Sequence, residues 1–72
     1  MGDELVETYL INGRRISIYG CWDDGTPEGE YDFYDIYEDQ DGEAVCLNIG
    51  NPFYADEGLP SKEDIEEFLE TL

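Results

Sequence analysis

LVETYLINGRRISIYGC, residues 5–21, decides the fold. Two β-prone runs, residues 5–11 and 14–21, flank Asn12-Gly13. Asn-Gly between alternating apolar residues is the strongest short-range hairpin signal a sequence offers. The turn then sets which residues share a face. A two-residue loop pairs Ile11 with Arg14 and places Glu7 opposite Ile18. A three-residue loop, Ile11-Asn12-Gly13 with Gly13 in the left-handed region, pairs Leu10 with Arg14, Thr8 with Ile16 and Val6 with Ile18. That second register gathers Val6, Leu10, Ile16 and Ile18 on one face and buries no carboxylate. Burial cost therefore predicts the three-residue loop.

Outward from the hairpin, residues 22–29 read WDDGTPEG, whose two glycines, proline and three acids predict an exposed loop. Residues 30–38, EYDFYDIYE, form a third strand with imperfect alternation. Tyr31, Phe33 and Tyr37 share one face with Asp35; Tyr34 and Ile36 share the other with Asp32, Glu30 and Glu38. The pattern leaves the orientation of this strand open. Residues 39–42 are a turn ending in Asp-Gly. Residues 43–49 are a fourth strand with Val45, Leu47 and Ile49 toward the core, so strands three and four make a second hairpin. Residues 50–60 form a loop carrying Asn51-Pro52 and two exposed-looking aromatics, Phe53 and Tyr54. The helix that follows is signalled twice. Ser61 is a good N-cap with Asp64 three residues on, approximating a capping box. Ile65, Phe68, Leu69 and Leu72 form one apolar stripe, while Glu63, Glu66, Glu67 and Glu70 face out.

The predicted architecture is α+β, a single small domain over residues 1–72 with element order ββββα. A four-stranded, mainly antiparallel sheet of two hairpins carries one C-terminal helix on one face. Its other face is left open. Tyr9, Ile11 and Tyr19 are expected there, as a partner surface or a homodimer contact.

Seventy-two residues suffice for one domain, and a chain of this size buries only about 60% of its unfolded surface. Twenty Asp and Glu stand against three basic residues, Arg14, Arg15 and Lys62, for a net charge of −17. Such a balance can signal disorder, but 40% hydrophobic and 14% aromatic residues in regular patterns predict a folded chain. Direct nucleic-acid binding is excluded, because phosphate contact needs clustered Lys and Arg. Anionic membrane surfaces are excluded on the same ground, and no apolar run approaches about 18 residues. The N-terminal residues have neither the basic segment nor the apolar core of a signal peptide, and Val6 stands where a myristoylation signal has Ser or Thr. The expected compartment is cytoplasmic. Cys21 and Cys46, each in a strand-like run, are expected to be reduced, partly buried thiols.

Catalysis finds no support. There is no His, Ser17 and Ser61 have no basic partner, and neither cysteine has an activating base beside it. No zinc site is expected without His or a Cys-x-x-Cys pair. Asp39-x-Asp41-Gly42 is similar to the middle of a calcium loop, but the end-ligand positions hold Tyr37 and Asn48, so it reads as a turn. The glycines occur singly with no phosphate-binding pattern. Neither cofactor nor metal is expected.

The acidic surface remains. About one net negative charge per four residues exceeds the magnitude of about 2 to 8 that solubility needs. Glu63 and Glu67, and Glu66 and Glu70, repel at i, i+4, and Glu70 opposes the helix dipole. Acids are interleaved with Trp22, Tyr31, Tyr34, Tyr37 and Tyr54, a composition suited to a cationic partner. The profile resembles in kind the phage-encoded inhibitors and nucleic-acid mimics that occupy DNA-binding grooves. The expected function is a non-enzymatic interaction protein that docks on a basic partner, such as a nucleic-acid-binding protein. The alternatives are an accessory domain whose acidity serves only solubility, and a toxin immunity protein. Expected contacts are Trp22, Asp23, Asp24 and Glu28 in the loop, ranked first; Asp32 and Tyr34 of strand three; and Glu63, Glu66, Glu67 and Glu70 of the helix.

Overall fold

A computed structural model describes residues 2–72. Strands β1 (Gly2–Ile11) and β2 (Arg14–Trp22) pair antiparallel. Their turn has two residues, not three. Ile11 faces Arg14, and Asn12 and Gly13 both take positive φ, 51° and 79°. That conformation matches the right-handed twist of the flanking strands, which a three-residue connection with one left-handed residue does less well. Glu7 does face Ile18 across the ladder. Its carboxylate nevertheless stays exposed, because the register shifts between Leu5 and Glu7 and makes Val6 a bulge. Val6 packs against the core in place of Glu7, whose Oε1 accepts from the Thr8 N–H at 3.0 Å. The bulge removes the burial conflict that favoured the longer turn.

β3 (Phe33–Gln40) pairs antiparallel with β2, Ile36 against Ile18, and β4 (Glu43–Cys46) pairs with β3 across a turn at Asp41 and Gly42. A short β5 (Phe53–Tyr54) adds to the same edge of β3 further along, Phe53 against Tyr34. The sheet order is β1-β2-β3-β4 with β5 beside β3. α1 (Lys62–Glu70) closes one face, so the antiparallel sheet with a C-terminal helix stands as expected from sequence. Strand boundaries differ. Residues 30–32 belong to the preceding loop rather than to the third strand.

The fourth strand ends at Cys46, three residues early, and of its expected inward residues only Leu47 packs on the core. Val45 lies at the margin of exposure and Ile49 is 84% exposed. What replaces the ladder is a side chain. The buried Asn48 accepts from the Ile36 N–H through Oδ1 (2.9 Å) and donates from Nδ2 to the Tyr34 carbonyl (3.0 Å). Beside it the Leu47 N–H reaches the Ile36 carbonyl at 2.8 Å. One carboxamide carries an acceptor and a donor, as a peptide unit does, so it fills the gap between β4 and β5. Asn48→Ala is expected to cost about 2 kcal/mol by stranding two buried backbone groups. A denaturant midpoint that does not move would show that water takes over both bonds.

The core comprises Ile11, Ile16, Ile18, Tyr34, Ile36, Ile65 and Phe68. Tyr34 and Ile36 thus face the helix, which settles the orientation of β3. The two-residue turn also corrects the expected open face. Ile11 is 3% exposed on the helix side, and Tyr9 packs beside it with its hydroxyl donating to the Pro60 carbonyl at 3.3 Å. Leu10 points away instead, 65% exposed, and of the three residues expected outside only Tyr19 is there, edge-on to Tyr37 at 5.3 Å.

The helix begins as its sequence predicts. Ser61 Oγ accepts from the Asp64 N–H (3.1 Å) and Asp64 Oδ2 from the Ser61 N–H (3.0 Å), a reciprocal capping box. Ile65 and Phe68 are buried, Leu69 is half-buried, and Leu72 falls past the last turn and is exposed. The Phe68 ring meets Phe53 of β5 edge-on at 5.2 Å, so a residue expected to be exposed instead seats the helix.

Candidate interaction surface

One of the three basic residues is withdrawn from the surface field. Arg14 starts β2, and its guanidinium grips Glu38 of β3 with two parallel bonds, Nε to Oε2 at 2.7 Å and Nη2 to Oε1 at 2.8 Å. Gln40 Nε2 adds a third at 3.0 Å. Glu38 sits on the helix face beside Ile16 and is 8% exposed. These bonds, the Arg14 ones foremost, hold its carboxyl down to about 2, and the same contact raises Arg14 further. With this pair neutralised, only Arg15 and Lys62 remain to offset the other nineteen carboxylates.

The loop over residues 23–32 is built by its own acids. Asp23 Oδ1 accepts from the Gly25 N–H (2.9 Å), and the Thr26 hydroxyl sits between Asp23 Oδ1 (3.0 Å) and Asp32 Oδ2 while accepting from the Asp23 N–H (3.1 Å). These bonds, the Gly25 one first, hold Asp23 below the usual carboxylate range. Asp23 and Asp32, expected as contacts, therefore organise the loop from within. Asp24 and Glu28 are exposed on it. Tyr34 is not an outward residue at all: it is 7% exposed, because its position on β3 points at the helix.

Trp22 does reach the loop's cleft, and it has a companion that sequence reasoning placed on strand three. Tyr31 lies 6.2 Å from Trp22, centroid to centroid, with the rings tilted by 40°. Both pack directly on glycines of the sheet. A Cβ on Gly20 would sit 2.6 Å from Tyr31 Cδ1 and Cε1, and one on Gly2 would sit 2.6 Å from Trp22 Cζ2. The Tyr31 hydroxyl donates to Glu4 of β1, which pushes the phenol above its ordinary value. Together with Pro27, Glu28 and Glu30 these residues enclose a cleft of about 390 Å3. The available sequence signal was glycine inside a strand, which often marks a close approach by another group.

The helix acids divide. Glu66 and Glu70 border a small cavity of about 170 Å3 together with Arg14 and Ile11, at the turn end of β2 and opposite the Trp22 end. Glu63 and Glu67 are exposed. Loop and helix C-terminus therefore present separate acidic areas rather than one site.

The uncovered sheet face carries Tyr19, Phe33 and Tyr37 with the thiol Cys21. Cys21 and Cys46 are free, Cys21 donating to Asp35 Oδ2 at 3.4 Å and Cys46 to Asn48 Oδ1 at 3.4 Å. Burial first, and then the Asp35 charge, pushes Cys21 up to about 12, so it stays a thiol at neutral pH. Among the described residues no cluster of three or more potential ligands is arranged to hold a metal, and no helix is long and apolar enough to cross a membrane. No protein family, curated protein or solved structure matches the chain.

Proposed function

We propose that this domain is a non-enzymatic interaction protein whose acidic surface docks on a basic partner, such as a nucleic-acid-binding protein whose site it would occupy in place of nucleic acid. The observation that carries this reading is the uncompensated field. A net charge of −17 lies on 72 residues, and the fold consumes one of the three bases in an internal pair. Such a field steers cationic partners and repels nucleic acid and anionic membranes.

The same field opposes folding through self-repulsion, so the melting temperature is expected to rise as monovalent salt goes from near zero to about 0.3 M, where the Debye length is well under 10 Å. A flat or falling melting temperature would show that the repulsion does not matter to stability. For function, the immobilised domain is expected to retain basic proteins from a lysate at about 0.05 M salt and to release them at about 0.5 M. Duplex DNA is expected to displace them. An unrelated acidic domain of equal net charge serves as the control. Retention that is indifferent to salt and to DNA, or no different from the control, overturns the reading.

A further inference from the structure

We infer that the cleft floored by Trp22 and Tyr31 is a seat for an arginine side chain of the basic partner, the guanidinium stacking on the rings inside a rim of carboxylates. This rests on the proposed docking function and names the place and side chain through which it acts.

The floor comes first. Trp22 and Tyr31 belong to the helix side of the sheet, at the end of β2 that the helix core does not reach with its isoleucines. Their strand neighbours there are Gly2, directly across from Trp22, and Gly20 under Tyr31. With no side chain beneath them, both rings approach the strands closely, and both border the open cleft above. The Tyr31 hydroxyl bound to Glu4 fixes the ring in its own plane. The floor is therefore aromatic, nearly continuous and held still before any ligand arrives, which lowers the ordering cost of binding.

The rim selects the ligand. Glu4 stands on the β1 side and Glu28 and Glu30 on the loop side, with Pro27 as an apolar wall, and among the described residues no Lys or Arg borders the cleft. An aromatic face attracts cations, and a carboxylate rim adds charge pairing. The two rings lie side by side with a 40° tilt rather than forming a box, so they match a flat group better than a tetrahedral one. Guanidinium is flat, weakly hydrated and forks onto carboxylates, whereas an ammonium is compact and strongly hydrated. The volume of about 390 Å3 admits one such side chain with its neighbouring backbone.

Trp22 is the sole tryptophan, so its fluorescence reports the site directly. The probes are three short peptides of one sequence whose central residue is Arg, Lys or citrulline, each flanked by the same two lysines. The Arg peptide is expected to perturb Trp22 emission saturably and to bind about threefold or more tighter than the Lys peptide, with citrulline weaker than both. Trp22→Leu is expected to erase the Arg-over-Lys preference. Glu28→Gln with Glu30→Gln, both at exposed positions, is expected to weaken binding about fivefold with the melting temperature held or raised. Equal binding of Arg and Lys peptides, or binding that leaves Trp22 emission unchanged, overturns the arginine seat while leaving electrostatic docking intact. So does wild-type capture of basic proteins undiminished in Trp22→Leu. Capture that is indifferent to salt overturns the docking reading instead.

Discussion

Phe68→Ala is expected to destabilise the domain by about 3–5 kcal/mol, enough to abolish the cooperative transition in a fold of this size. The ring is 6% exposed, lies one turn from the fully buried Ile65, and meets Phe53 at 5.2 Å. Its removal takes away both the transfer energy of a large apolar group and the contact that ties α1 to β5. The consequence extends beyond the helix, because β5 is only two residues long and pairs with β3 over Phe33 and Tyr34 alone. Circular dichroism of Phe68→Ala should therefore show loss of the whole fold rather than of nine helical residues. Phe68→Leu, which refills most of the volume, is expected to remain folded with a loss of about 1.5 kcal/mol. An alanine variant with wild-type thermal stability would mean that α1 is not anchored by this ring.

Arg14→Met is expected to cost about 3 kcal/mol at pH 7. Breaking a buried pair from one side typically costs about 3–5 kcal/mol, and the lower end applies because Arg14 is itself 39% exposed and solvent screens it. The pH dependence follows from Glu38. Its folded value, about 2, lies below its ordinary 4.5. The group binds protons more readily unfolded than folded, so its contribution is complete above about 4.5 and is lost as pH falls toward about 2. The difference in stability between wild type and Arg14→Met should therefore be largest near neutrality and shrink through that window. Taking the difference cancels the general relief of charge repulsion that acid brings to both proteins. A difference of equal size at pH 7 and pH 3 would show that Arg14 acts through its aliphatic stem and not through Glu38.

The elements whose signals are local were legible in the sequence. Ser61 and Asp64 announce a cap through bonds they make to each other, and Asn12-Gly13 announces a hairpin through its own backbone preferences. What escaped is set by contacts distant in the chain. The choice of turn was decided on the burial of Glu7, and a bulge at Val6 removed that burial without lengthening the turn. Glu38 was one of the acids that left the orientation of β3 open, and Arg14, 24 residues earlier, makes it acceptable inside. Asn48 looked like a ladder residue between apolar neighbours and proved to be the ladder's substitute. Among the expected contact residues, Trp22, Asp24 and Glu28 lie where a partner can reach them, whereas Tyr34 is consumed by the core. Tyr31 was readable as an aromatic among acids, but its pairing with Trp22 depends on two glycines whose importance shows only once the strands are in register.

The outer margin of β1 has a consequence for how the molecule behaves in bulk. Apart from the bulged Val6 its ten residues pair with β2 on one side only, and a long unpaired margin is a template on which further strands can grow. Three features work as gatekeepers: the kink at Val6, the Glu7 carboxylate seated on the Thr8 N–H, and the row of Asp3, Glu4 and Glu7. Two of the three depend on ionised carboxylates. At the isoelectric point of about 4.1 the net charge that keeps copies apart is gone while the exposed Leu5 and Leu10 remain. Mildly acidic storage is thus the condition under which this chain should ripen into fibrils, and neutral, low-salt solution the one in which copies keep their distance.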